Sequence, residues 1–188
     1  MDTIRTFIAV TLSLEIKDSL NDAQRRISIS DINAKWVHPE NIHVTLKFLG
    51  DTPVDKIDDI KGILAAITQK HSTFPVTLKN IGLFPNERKP RVIWAGITEG
   101  AHIIAQIAAE IENELKPIGF EKKDRLFVPH ITIGRIKSGP STRKLLDIVD
   151  DMQDNDFGQM QVKSITFIKS TLTKDGPLYD IIHEAQLT

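Results

Sequence analysis

His43-Val44-Thr45-Leu46-Lys47-Phe48-Leu49-Gly50 is the stretch that decides the fold. From Ile42 to Leu46 apolar and polar residues alternate, and Gly50-Asp51 closes the run, the pattern of a half-buried β-strand. Period 2 places His43 and Thr45 on one face and Ile42, Val44 and Leu46 on the other, against a core. One such pair is ordinary, because a solvated strand face explains it. A second copy is not. Pro129-His130-Ile131-Thr132-Ile133-Gly134-Arg135 repeats His, aliphatic, Thr, aliphatic behind a strand-edge proline.

Outward from these stretches the chain alternates strands and helices. Thr3 to Leu12 reads as a strand, and 14 to 29 as a helix capped by Ser13 with a stripe of Ile16, Leu20, Ala23 and Ile27. A short strand lies around Lys35 to Val37. Thr52-Pro53 reads as an N-cap and first helical residue, opening a helix to about residue 70. Strands are expected at Phe74 to Leu83 and 91 to 97, and helices at 101 to 116 and 141 to 153, the latter capped by Ser141 or Thr142. The strands Val162 to Lys169, Ser170 to Leu172 and Leu178 to Glu184 complete the chain.

Short connections and hairpin-like turns favour an α+β fold with antiparallel sheets over a doubly wound parallel one. The repeated motif suggests a faint internal duplication. The expectation is a single domain over 1-188 made of two lobes: two antiparallel sheets face a central cleft, with helices on the outer faces.

Composition bounds the function. The chain has 188 residues, 40% hydrophobic and 26% charged, with a net charge of −1, and that balance gives no footprint for coating nucleic acid by bulk charge. Zero cysteines exclude disulfides, thiol catalysis and Cys-based metal sites. Met1-Asp2-Thr3-Ile4-Arg5 carries no signal-peptide charge pattern, and no apolar run approaches about 18 residues. A cytoplasmic, monomeric protein with no membrane partner is therefore expected.

Two imidazoles on opposite walls of a cleft can act as general acid and general base, since an unperturbed His titrates near neutrality. Two hydroxyls beside them can donate to the non-bridging oxygens of a phosphate. Together they form a minimal set for in-line displacement at phosphorus without a metal. No Asp or Glu sits at ligand spacing inside either motif, and Thr is a poor transition-metal ligand, so neither metal nor cofactor is expected. Nothing of the G-x-S-x-G kind supports a serine triad.

With these residues in view, the chain resembles the 2H phosphoesterases, and more narrowly the RNA 2′,3′-cyclic phosphodiesterases once called 2′-5′ RNA ligases. The likeness also runs through Arg5-Thr6-Phe7-Ile8-Ala9, Trp36, Pro39-Glu40-Asn41-Ile42, Arg91-Val92-Ile93-Trp94, Ser170-Thr171-Leu172 and Gly176-Pro177-Leu178-Tyr179. It implies a bilobal fold, no metal, and opening of an RNA terminal 2′,3′-cyclic phosphate, on tRNA fragments among other RNAs, to a 2′-phosphate. It also implies that His43 is the proton donor, His130 the proton acceptor, and Thr45, Thr132 and Arg135 phosphate-binding residues. Reversible 2′-5′ ligation, or a non-catalytic nucleotide- or RNA-binding module, are the alternatives.

Two residues conflict with strict alternation. Arg135 falls on the face opposite His130 and Thr132 unless Gly134 permits a bulge or the strand has ended. Phe48 shares the parity of core residues and is expected in the core rather than against a base. Arg5, Phe7 and Tyr179 are candidates to line the cleft. His38, His71, His102 and His183 lack a following Thr and are expected to be structural or solvent-facing. Lys89, Arg91, Lys122, Lys123 and Arg125 are expected in solvated loops, and are the first candidates to grip RNA beyond its end.

Overall fold

The computed structural model describes residues 2–122, 127–137, 143–174 and 176–188. Its first sheet has the order β3-β1-β8-β9, formed by β1 (Thr3–Thr11), β3 (His43–Pro53), β8 (Ser164–Leu172) and β9 (Pro177–Gln186). The second has the order β2-β6-β5-β4-β7, formed by β2 (Ala34–Trp36), β4 (Phe74–Phe84), β5 (Val92–Ile97), β6 (His130–Ile136) and β7 (Asp156–Val162). Every pairing is antiparallel.

Four helices cover these sheets: α1 (Leu14–Ser28), α2 (Ile57–Thr68), α3 (Ala101–Leu115) and α4 (Arg143–Asp151). Helices α2 and α3 pack on each other and on β3, β8 and β9, while α1 and α4 pack on β4, β6 and β7. The cause is local. In α1 the Ser13 hydroxyl caps the Ile16 N–H at 3.4 Å, and Arg25 and Arg26 sit in the last turn, where the helix dipole favours cations. Its buried stripe is Ile16, Leu20, Ala23, Gln24 and Ile27.

The expected α+β class, antiparallel sheets and outer helices are all present. The duplication is interleaved, however, because each sheet draws strands from both halves of the sequence. Strand β8 pairs with the middle of β1, so the C-terminal strands return to the first sheet.

Four expectations about the elements need correction. The strands expected at Val162 to Lys169 and Ser170 to Leu172 are one, β8, and Val162 belongs to β7. Gly50 does not end the motif strand, which runs on to Pro53. Gly50 takes a φ of 76° within it, a conformation that glycine adopts without the steric cost of a Cβ. Thr52 is not a helix cap: it is buried in β3, its hydroxyl paired with that of Thr6 at 2.7 Å, and α2 begins only at Ile57 after a 3₁₀ turn. Lastly, β7 was not expected. Asp156 to Val162 alternates weakly and contains Gly158, yet pairing to β4 makes it a strand. The expected cap at Ser141 or Thr142, together with Lys123 and Arg125, lies outside the described residues.

Candidate active site

The two motif strands belong to different sheets and pack against each other. Each histidine opens its strand and is tethered in the same way. The His43 Nδ1–H donates to the Asn41 carbonyl at 2.7 Å, and the His130 Nδ1–H donates to the Val128 carbonyl at 2.7 Å. Because a carbonyl oxygen can only accept, the proton of each neutral ring is fixed on Nδ1. In the neutral ring each Nε2 is thereby left as an acceptor. His43 Nε2 meets the Thr45 hydroxyl at 2.9 Å.

Asn41 closes the 3₁₀ turn Pro39–Asn41, and its side-chain amide donates to the Pro177 carbonyl at 2.9 Å. That bond ties the carbonyl that orients His43 to the start of β9. The His43 ring is stacked on Phe7 with centroids 4.8 Å apart and edge-on to Tyr179 at 5.6 Å. Desolvation there pushes the imidazole down to about 4; the Asn41 carbonyl opposes the shift and the Lys17 ammonium adds to it. His130 stands edge-on to Phe84 at 5.2 Å, and Phe84 stacks on Trp94 at 4.9 Å.

Both strands carry a bulge at the same place, just after the threonine. Opposite β1 the register jumps between Thr45 and Lys47, leaving Leu46 as the extra residue. Opposite β5 it jumps between Thr132 and Gly134, leaving Ile133 as the extra residue. A bulge reverses the side-chain parity beyond it. Lys47 therefore turns inward, where it is 3% exposed and ion-paired to Glu112 of α3 while donating to the Glu121 carbonyl at 2.9 Å. The corresponding position on β6 is Gly134, where a Cβ would stand 3.0 Å from the Trp36 ring.

The residues after these turn the other way. Phe48 is 48% exposed on the cleft side, 6.0 Å from Phe7, so the expectation of a core residue is wrong, and the Leu46 bulge is the reason. Arg135 likewise reaches the open face. Its guanidinium lies within electrostatic reach of Tyr179, as does that of Arg5, and both oppose the upward push that burial gives the Tyr179 phenol. Tyr179 belongs to the first sheet and Arg135 to the second, so the two sheets meet across this cleft.

Gln24 is a residue that the sequence reading passed over. From the buried stripe of α1, its amide donates at 2.7 Å to both the Val37 and the Ile133 carbonyls. The Ile133 carbonyl also accepts from the Val37 N–H at 3.0 Å. The bulge residue of β6 is thus held from two sides. A glutamine among apolar stripe positions was the available signal. Of the other histidines, His71 bonds Glu110 at 3.1 Å and is buried, whereas His38 and His102 are exposed and His183 is half-buried on β9. Among the described residues no three His, Cys, Asp or Glu side chains are grouped to hold a metal ion, and no helix is long and apolar enough to cross a membrane.

The family model for LigT-like phosphoesterases matches residues 10–94 and again 97–179, one motif in each match. The chain belongs to this family. Among its relatives, the RNA 2′,3′-cyclic phosphodiesterase of Methanocaldococcus jannaschii is 38% identical, over 96% of this chain and 99% of that one. The protein of the same name from Aquifex aeolicus is 36% identical over 100% and 99%. Among solved structures, TT0787 of Thermus thermophilus superposes with a TM-score of 0.82 at 27% identity, covering 98% of both chains. E. coli LigT complexed with 3′-AMP has a TM-score of 0.78 at 22% identity, over 99% of both, a likeness of fold. The two consecutive matches of the family model are the duplication expected from the repeated motif.

Proposed function

We propose that this phosphoesterase opens RNA 2′,3′-cyclic phosphate ends to 2′-phosphomonoesters through acid/base catalysis by two histidines, without a metal, the whole chain acting as one catalytic unit of two lobes. The observation that carries the reading is the twofold occurrence of one device. In both strands a backbone carbonyl fixes Nδ1–H and leaves Nε2 as the acceptor, a threonine follows at the same spacing, and beyond a bulge the residue three positions after the threonine, Phe48 or Arg135, turns to the open face. The names of the relatives support the substrate.

In this scheme His130 Nε2 takes a proton from water as the oxygen attacks phosphorus. The bond from phosphorus to the 3′-oxygen breaks, and His43 Nε2–H protonates that leaving oxygen. Each such role is typically worth 10² to 10⁴ in rate. The Thr45 and Thr132 hydroxyls donate to the non-bridging oxygens, and Arg135 supplies positive charge to the same group. Phe48, open on the cleft side beside Phe7, offers a face on which the terminal base can stack.

The test is a product assay on a short RNA ending in a 2′,3′-cyclic phosphate, with and without a 5′-hydroxyl acceptor. Hydrolysis to the 2′-phosphate should persist in chelator and fall by about 10² or more in His43→Ala and in His130→Ala. Full activity in either variant would overturn the mechanism, and a joined product as the main outcome would replace hydrolysis with ligation.

A further inference from the structure

Strand β4 pairs with β7 only as far as Lys79, whereas its pairing with β5 continues to Phe84. The Asn80 N–H still donates to the Asn155 carbonyl at 3.1 Å, and beyond it this edge of β4 has no strand partner among the described residues. The Ile81 carbonyl points out of that edge and accepts from the Gln153 amide at 2.9 Å. By strand alternation the Leu83 N–H and C=O point the same way, and they have no strand partner among the described residues. A cavity of about 640 Å³ opens against this edge, lined among others by Asn80, Leu83, Asn86, Arg88, Trp94 and Gln153. That volume lies within the range of roughly 300 to 1,000 Å³ usual for small-ligand sites.

Its inner wall leads to the reaction centre. The Trp94 indole lies over Gly82, where any Cβ would collide with the ring, and under Phe84, which touches His130 edge-on. Trp94 also sits opposite Thr132 in the ladder between β5 and β6. Its indole N–H is buried and finds no acceptor among the described residues, although a buried Trp N–H ordinarily has one. On the outer wall the Asn86 side chain accepts from the Arg88 and Lys89 N–H groups at 3.1 Å each, shaping the loop that presents exposed Arg88.

These features match a nucleobase more closely than a bare phosphate. An open peptide edge supplies one donor and one acceptor side by side, the pairing that reads the edge of a base. The indole N–H is a further donor, and a guanidinium can stack on a ring or meet a backbone phosphate. The geometry points to this cavity as the subsite for the nucleotide that precedes the cyclic end, so that the preferred substrate is an RNA end of two or more nucleotides rather than a cyclic mononucleotide. This rests on the cyclic phosphodiesterase reading above.

Steady-state kinetics on a 2′,3′-cyclic mononucleotide and on a dinucleotide with the same cyclic end would test it. The wild type should show a kcat/KM at least about tenfold higher for the dinucleotide, a modest share of what base stacking and a charged contact can contribute. Arg88→Ala, an exposed change that leaves the fold alone, and Trp94→Phe, which keeps a ring over Gly82 but removes the N–H, should each cut that ratio several-fold through KM. Equal kcat/KM for the two substrates in the wild type, or a ratio that survives both substitutions, would overturn the subsite while leaving the phosphodiesterase reading intact. A wild type inert on both would overturn that reading, and the subsite with it.

Discussion

At the scale of single residues, His43 has the sharpest constraint. Its ring is held neutral in the free protein, with a pKa near 4, because burial against Phe7 and Tyr179 removes the solvent that an imidazolium needs. A general acid must carry a proton, and an anionic phosphate placed beside Nε2 supplies the opposite charge that restores it. Binding of a 2′-phosphomononucleotide at pH 7 is therefore expected to take up a proton; titration calorimetry in buffers of different ionisation enthalpy should read an uptake that His43→Gln abolishes. No uptake in the wild type would argue for His43 as the base instead. The same shift has a consequence for stability. Between pH 6.5 and about 4 the unfolded chain binds a proton at this site that the folded chain does not, so the contribution is full above 6.5 and lost as pH falls toward 4. Denaturant midpoints measured from pH 7 to 4.5 should fall less steeply in His43→Gln than in the wild type.

At the scale of the strand, the matched bulges at Leu46 and Ile133 do what alternation alone forbids. They keep His and Thr on the cleft face, bury the following aliphatic residue, and then bring Phe48 and Arg135 back to the cleft. Each bulge is held by a polar side chain from a helix: Lys47 of β3 by half-buried Glu112 of α3, and Ile133 of β6 by buried Gln24 of α1. Gln24→Leu deletes both amide bonds and leaves the Val37 carbonyl short of a partner, which should cost about 1 to 3 kcal/mol in urea unfolding. As the β6 bulge relaxes, kcat/KM should drop roughly tenfold to a hundredfold, because small displacements of positioning groups are expensive in rate. Lost stability with unchanged kinetics would show that Gln24 serves the fold alone.

At the scale of the whole molecule, the interleaved chain makes the far C-terminus a support for the first motif. Strand β9 seals β8, packs against α2, receives the Asn41 amide at Pro177, and places Tyr179 against His43. Just beyond it, Thr188 bonds the His71 carbonyl through both its N–H and its hydroxyl. Deleting 177–188 spares both His-Thr pairs, yet should lower stability by about 3 kcal/mol or more through lost apolar burial at Ala185 and Leu187. The thermal midpoint should fall by roughly 10 °C, and an unshifted midpoint would show that the first sheet stands without β9. Much of this protein was legible in the sequence, because the deciding signals are short-range. Period 2 placed His43 with Thr45 and His130 with Thr132, helical stripes marked α1, α2 and α3, the Ser13 cap marked the start of α1, and the repeat announced the duplication. Strand β7, the interleaving of the sheets, Phe48, Arg135 and Gln24 were decided only by tertiary structure. A bulge exists only against a partner strand, and a buried amide finds its carbonyl only after distant segments pack, so neither leaves a periodic trace in the chain that encodes it.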